Sequence, residues 1–215
     1  MNFLAHIFLS GDDEEVMIGN FIADAVKRKD YLGYSDGIVK GVLLHRRIDA
    51  FTDSHVVVGQ SKQRLRPKYR KYAGVIVDMY YDHFLSKYWE NYSEVPLSQF
   101  VDYAYGVFQS RINCLPSRIQ LMLPHMIEFD WLTNYAHLEG IMGALSGLSR
   151  MTKYESGMEY AVSDLKQDYH GCRQFAMLCV LFIYTLMLIR IMKLWVSRNP
   201  RGTSTNDGMA REWVL

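Results

Sequence analysis

No stretch of this chain alternates apolar and polar residues for long enough to propose a sheet, and only five of its 215 residues are proline. Apolar residues recur instead at helical spacing through one segment after another, which predicts an all-α chain. MNFLAHIFLS is expected to be a first buried segment. SGDDEE supplies caps and an acidic first turn for a helix over about 12–28. A second helix is expected over about 36–53, with Leu44, Ile48 and Phe51 on one stripe, and a third over roughly 56–70. YAGVIVDMYYDHFLSKYWENY predicts a fourth over about 72–91, and Pro96 starts a fifth in PLSQFVDYAYGVFQSRI. Pro116 and Pro124 are expected to bracket shorter helices, HLEGIMGALSGLSRM carries small residues that allow close helix approach, and a last long helix begins near Glu155. With 49% apolar residues, no internal repeat and no low-complexity linker, a single-domain helical bundle is the simplest reading.

The charge balance narrows the partners. A formal net charge of +1 predicts neither a nucleic-acid binder nor a strongly anionic protein, so any electrostatic preference must be local. Cys114, Cys172 and Cys179 form no C-x-x-C pair and no zinc spacing, which points to a reducing, cytoplasmic setting. In MNFLAHIFLSGDDEE the acids follow the apolar run and no base precedes it, the reverse of a signal peptide. Residues 171–215 are expected to be a divergent apolar helix and a flexible tail. Phe175 to Ile189 is a fifteen-residue run without charge, shorter than the roughly 18 residues of a membrane span. Arg190, Lys193, Arg198 and Arg201 follow it. A buried or partner-covered helix is the favoured reading, with membrane contact through 175–189 as the alternative.

Polar residues interrupt four segments that a helical core would otherwise keep apolar. His45 and Asp49, in HRRIDAFTDSH, are four apart and share a helix face, a spacing that presents two ligands to one metal and also arises cheaply as a salt bridge. In VDMYYDHFL, Asp78 and Asp82 are four apart with His83 beside the second, amid residues apolar on nearly every side. Buried acids need a cation, hydrogen-bond donors or a metal, and either a divalent ion or pairing with Arg46 and Arg47 answers that need. Asp24 sits in GNFIADAVK with Asn20 one turn earlier, and His6 sits in NFLAHIFL. Separate helices of a bundle can aim such groups at one centre, and mixed imidazole and carboxylate ligands favour Mn, Fe or Mg and hydrolysis of a phosphate ester. A basic run, SKQRLRPKYRKY, carries Lys62, Arg64, Arg66, Lys68, Arg70 and Lys71 without local acids to balance them. It reads as a solvated face or as a docking patch for an acidic partner. Motifs of serine hydrolases, P-loops, dinucleotide folds and zinc proteases are missing.

MNFLAH, GNFIAD, HRRIDAFTD and DMYYDHFL, in this order and spacing, resemble the acyl carrier protein phosphodiesterases, an unusual branch of the HD phosphohydrolase superfamily. The resemblance covers roughly residues 1–170, which would form a helical, HD-phosphohydrolase-like metallohydrolase domain. It implies hydrolysis of the phosphodiester joining 4′-phosphopantetheine to a serine of acyl carrier protein, with Mn²⁺ as the expected metal and Mg²⁺ or Fe²⁺ as substitutes, and a place in fatty acid and lipid metabolism. Carried onto this sequence, it implies Asp24, His45 and Asp78 or Asp82 as metal ligands, and His6, Asp49 and His83 as further ligands, acid or base groups, or orienting groups. Arg46 and Arg47 would bind the phosphate. The basic run would dock the acidic carrier protein. An ordinary HD protein has a His-Asp dyad; here the clearest dyad is inverted, Asp82-His83.

Overall fold

The structure, a computed structural model, describes residues 3–178, all within one compact unit. These residues are helical throughout, joined by turns, with no strand among them. In chain order the helices are α1 (Phe3–Phe8), α2 (Glu14–Ile22), α3 (Asp36–Ser54), α4 (Val56–Tyr69), α5 (Ala73–Lys87), α6 (Leu97–Ser110), α7 (Ser117–Glu128), α8 (Trp131–Asn134), α9 (Leu138–Arg150) and α10 (Ala161–Gln167). Residues 169–178 continue as helix. The rest of the apolar run, 179–189, and the tail, with the reading given to them, lie outside the described residues. No described helix is long and apolar enough to cross a membrane.

The core is built around α5. Ile76, Val77, Met79, Tyr80, Tyr81, Asp82, His83, Phe84 and Leu85 are all buried, so this helix is enclosed on nearly every side. It packs on α1, α4 and α9. The short helix α1 is pinned to it by Asp82, whose carboxylate accepts from the backbone N–H groups of Leu4 and Ala5, each at 3.0 Å. Two of the N–H groups that a helix start leaves unpaired are thereby satisfied.

α2 and α3 cross without side chains between them. A Cβ placed on Gly19 would lie 2.0 Å from the Ile38 carbonyl oxygen, and one on Gly41 would lie 2.2 Å from that of Val16. Glycine at both positions lets two backbones meet. Phe21 of α2 stacks on Phe108 of α6 at 4.1 Å, which holds the far face of α2.

Two expected boundaries differ. The helix expected over 12–28 is capped by Asp13, whose side chain accepts from Glu15 and Val16, but ends at Ile22 in a 3₁₀ turn, Ala23–Ala25. Pro124 does not separate two helices; it lies inside α7. Its missing N–H removes one helical bond, which burial of Ile119, Leu123 and Met126 on the core side outweighs.

Candidate metal centre

The site forms where α1, α2 and α3 meet. His6 comes from α1, Asn20 from the last turn of α2, Asp24 from the 3₁₀ turn behind it, and His45 and Asp49 from one face of α3. The early end of α2 turns the Asp24 carboxylate toward His45. The glycine crossing brings Asn20 within bonding distance of His45, one turn beyond Gly41.

The two imidazole rings stack, with centroids 3.9 Å apart and planes 21° apart. Each has one nitrogen on Asn20 and the other among carboxylates. His6 Nδ1 donates to Asn20 Oδ1 at 2.8 Å, and His45 Nδ1 donates to the Asn20 main-chain oxygen at 2.9 Å and to Oδ1 at 3.2 Å. His6 Nε2 faces Asp49 Oδ1 at 3.1 Å. His45 Nε2 faces Asp49 Oδ2 at 3.1 Å and Asp24 Oδ1 at 3.2 Å. The ligand atoms of His6, His45 and Asp49 all lie within 4.8 Å of one another. Both rings are buried, while the Asp24 and Asp49 side chains are 48% and 47% exposed, so the group opens to solvent on its acidic side.

With both Nδ1 atoms committed to Asn20, a neutral ring turns a lone pair from Nε2 toward a carboxylate. Lone pairs facing lone pairs require a cation between them, either protons or a metal ion. Protons show the strength of that demand. Burial opposes charge on His45, but hydrogen bonds and attraction from Asp24 and Asp49 outweigh it and raise the ring to about 9. Burial likewise opposes ionisation of Asp49, and the hydrogen bonds from His45 and His6 override it, holding the carboxyl well below its usual range. Asp24 is lowered chiefly by the His45 hydrogen bond. Two imidazoles and two carboxylates, with no thiolate, suit a hard or borderline divalent ion such as Mn²⁺, Mg²⁺ or Fe²⁺.

The other expected site residues lie in different settings. Asp82 is fully buried and caps α1, with its carboxyl pushed up to about 7 by burial. His83 is also fully buried, its Nδ1 donating to the Tyr135 carbonyl and its Nε2 bonded to the Tyr169 hydroxyl, both at 2.8 Å. Burial lowers this ring to about 4. The inverted dyad therefore holds α1 with one member and the Tyr135 and Tyr169 segments with the other. Asp78 is half-buried one turn before Asp82 and is not among the converging donors. Arg46, exposed, donates to the Arg28 carbonyl at 3.0 Å and lies 4.5 Å over the Tyr31 ring; Arg47 is exposed on the same helix.

The stretch from His45 to His55 divides into two parts. His45 and Asp49 belong to the site, while Asp53 pairs with Lys62 at 2.5 Å and His55 caps α4.

The basic run is partly balanced by acids, contrary to its reading in sequence. Lys62 pairs with Asp53, Arg64 with Asp168, and Lys68 with Asp164 at 2.8 Å. Two of these acids come from the end of the domain, about a hundred residues away, where no local count finds them. Arg64, Arg66, Lys68, Arg70 and Lys71 are nonetheless exposed. Cys114 and Cys172 are free thiols.

The family of acyl carrier protein phosphodiesterases matches residues 1–178. The chain belongs to that family. Acyl carrier protein phosphodiesterases of Pectobacterium atrosepticum and Enterobacter sp. (strain 638) are each 32% identical to it, over 171 and 170 residues. Both matches take in 79% of this chain, with 89% and 88% of the relatives. The Photorhabdus laumondii protein is 32% identical over 172 residues. No solved structure matches the chain.

Two parts of the site carry no strong sequence signal. Asn20 is a polar residue in an apolar helix, which marks it as buried but not as the partner of two histidines. Gly19 and Gly41 look like weak helix positions, and only their pairing across two helices reveals a contact.

Proposed function

We propose that this protein hydrolyses the phosphodiester between 4′-phosphopantetheine and a serine of acyl carrier protein, using a divalent cation, with Mn²⁺ preferred, held by His6, His45, Asp49 and Asp24. The observation that carries the metal reading is the convergence of the two Nε2 atoms and the Asp49 carboxylate within 4.8 Å, backed by Asp24. The substrate follows from family membership. A cation bound there supplies Lewis acidity toward phosphoryl oxygens and lowers the pKa of a water. The chain's own residues hold the geometry. Asn20 orients the rings, Asp49 spans both Nε2 atoms, and Asp24 closes the far side of His45. The half-exposed acids leave the site open, as a phosphodiester on another protein's surface demands. Water adds to phosphorus as the bond to the serine oxygen breaks, and that oxygen leaves with the proton the water gives up. Arg47, two residues from both His45 and Asp49, falls on the opposite face of α3 from them, whereas exposed Arg66, Arg70 and Lys71 provide attraction for the acidic carrier.

The test is a substrate comparison. Purified protein with Mn²⁺ is incubated separately with holo acyl carrier protein and with nucleotide mono- and diesters, and released products are separated by chromatography. Release of 4′-phosphopantetheine alone supports the proposal. Turnover confined to nucleotides replaces the substrate, and turnover of neither defeats the reading.

A further inference from the structure

Asn20 is completely buried, and each polar atom of its side chain is engaged within the site. Its Oδ1 accepts from His6 Nδ1 and His45 Nδ1, and its Nδ2 donates to the His6 carbonyl at 2.7 Å and to Ser10 Oγ at 3.0 Å. Its own main-chain oxygen, in the last turn of α2 where helical partners run out, accepts from His45. We infer that Asn20 is the positioning residue of the centre: its side-chain oxygen holds His6 with the proton on Nδ1, so that both stacked rings present Nε2 to the same point.

The chemistry depends on an acceptor at this position. Imidazole has two nitrogens, and whichever one a buried acceptor occupies keeps the proton. For His45 the main-chain oxygen performs that task and survives substitution of the side chain. For His6 Nδ1 the acceptor is the side-chain Oδ1. Without Oδ1 the His6 ring is released to place its proton on Nε2, toward Asp49, where it competes with a cation for the same carboxylate. The rings stack at 3.9 Å, so that one cation can reach both Nε2 lone pairs.

This inference rests on the proposed metal reading for its consequence, but not for its first readout. In metal-free protein, nitrogen-15 NMR of the histidine side chains is expected to show a slowly exchanging proton on His6 Nδ1 in the wild type. Asn20→Ala loses it. Asn20→Asp keeps an acceptor of the same shape and retains it, although it forfeits both amide donations. Titration with Mn²⁺, followed by the electron paramagnetic resonance of the free ion, is expected to show binding weakened about 10–100-fold in Asn20→Ala and within about tenfold of wild type in Asn20→Asp. Ser10→Ala, which touches the amide but neither ring, should bind as wild type does. The inference is overturned if folded Asn20→Ala keeps the Nδ1 proton and binds within threefold of wild type, or if Asn20→Asp loses the proton and as much affinity as Asn20→Ala. If wild type shows the Nδ1 proton yet binds no Mn²⁺, the metal reading fails while the role of Asn20 in ring orientation stands.

Discussion

Replacing Gly41 by alanine adds one methyl group, and the α2–α3 crossing has no room for it. The new Cβ would lie 2.2 Å from Val16 O and 2.8 Å from both Asn20 N and Gly19 Cα. Comfortable contacts begin at about 3.5 Å, so the two helices must part by roughly 1 Å. Overpacking of this kind costs about 1–3 kcal/mol, against a gain of about 1 kcal/mol from better helix propensity. The expected net loss is about 0–2 kcal/mol, or a Tm lower by up to roughly 8 °C for a chain of this size. The functional loss should be larger, since the parting helices carry Asn20 and His45, and a 1 Å misplacement costs about 100-fold in rate. Gly106→Ala is the control: it is also helical, but nothing lies within 4 Å of the point its methyl group would occupy. It should be neutral or slightly stabilising and fully active. Urea melts and turnover of holo carrier protein test both. A Gly41→Ala protein as stable and active as Gly106→Ala would refute the claim that the crossing sets the site.

Further outcomes are expected elsewhere. Asp82→Ala should lower stability by roughly 2–4 kcal/mol, because it orphans the buried Leu4 N–H and the part-buried Ala5 N–H at the start of α1; an unchanged urea midpoint would contradict the capping role. His45→Ala should abolish turnover while helical content by circular dichroism stays near wild type, and retained turnover would remove His45 from the mechanism. His83, lowered to about 4, stays neutral in the fold while an unfolded histidine protonates near 6.5. Its contribution is therefore constant above about pH 6.5 and is lost as pH falls toward 4, by about 3 kcal/mol. Asp82 titrates with the opposite slope over part of this range, so the quantity to measure is the difference between wild type and His83→Gln, which should shift in favour of the variant between pH 7 and pH 4. Joint replacement of Arg66, Arg70 and Lys71 by serine should raise KM for the carrier protein at low salt and have little effect at high salt; a KM unchanged at low salt would end the docking role.

Local signals carried much of this structure. The helix expected over 36–53 appears as Asp36–Ser54, because its apolar stripe and its ends are both written within the segment. The i, i+4 pairing of His45 with Asp49 follows from helix geometry alone. Readings that depend on distant segments fared differently. Nothing near Asp82 in sequence shows that the start of α1 supplies its hydrogen-bond donors, and nothing near Arg64 or Lys68 shows Asp168 and Asp164. Pro124 looked like a boundary because its missing N–H is a local fact, whereas the burial that keeps α7 continuous is a property of the assembled core. Asn20 stands in the sequence only as a polar residue one turn before Asp24, and its role emerges only where three helices converge.

The central claim is that His6, His45, Asp49 and Asp24 hold a divalent cation that this chain needs to cleave the carrier protein's phosphodiester. The most direct measurement is the intact mass of holo acyl carrier protein after incubation with chelator-treated enzyme, before and after Mn²⁺ is added back. The account predicts no change under chelation and loss of the 4′-phosphopantetheine arm once Mn²⁺ returns, with no such recovery in His45→Ala. Loss of the arm at an equal rate in the chelated enzyme, or in His45→Ala, would contradict it.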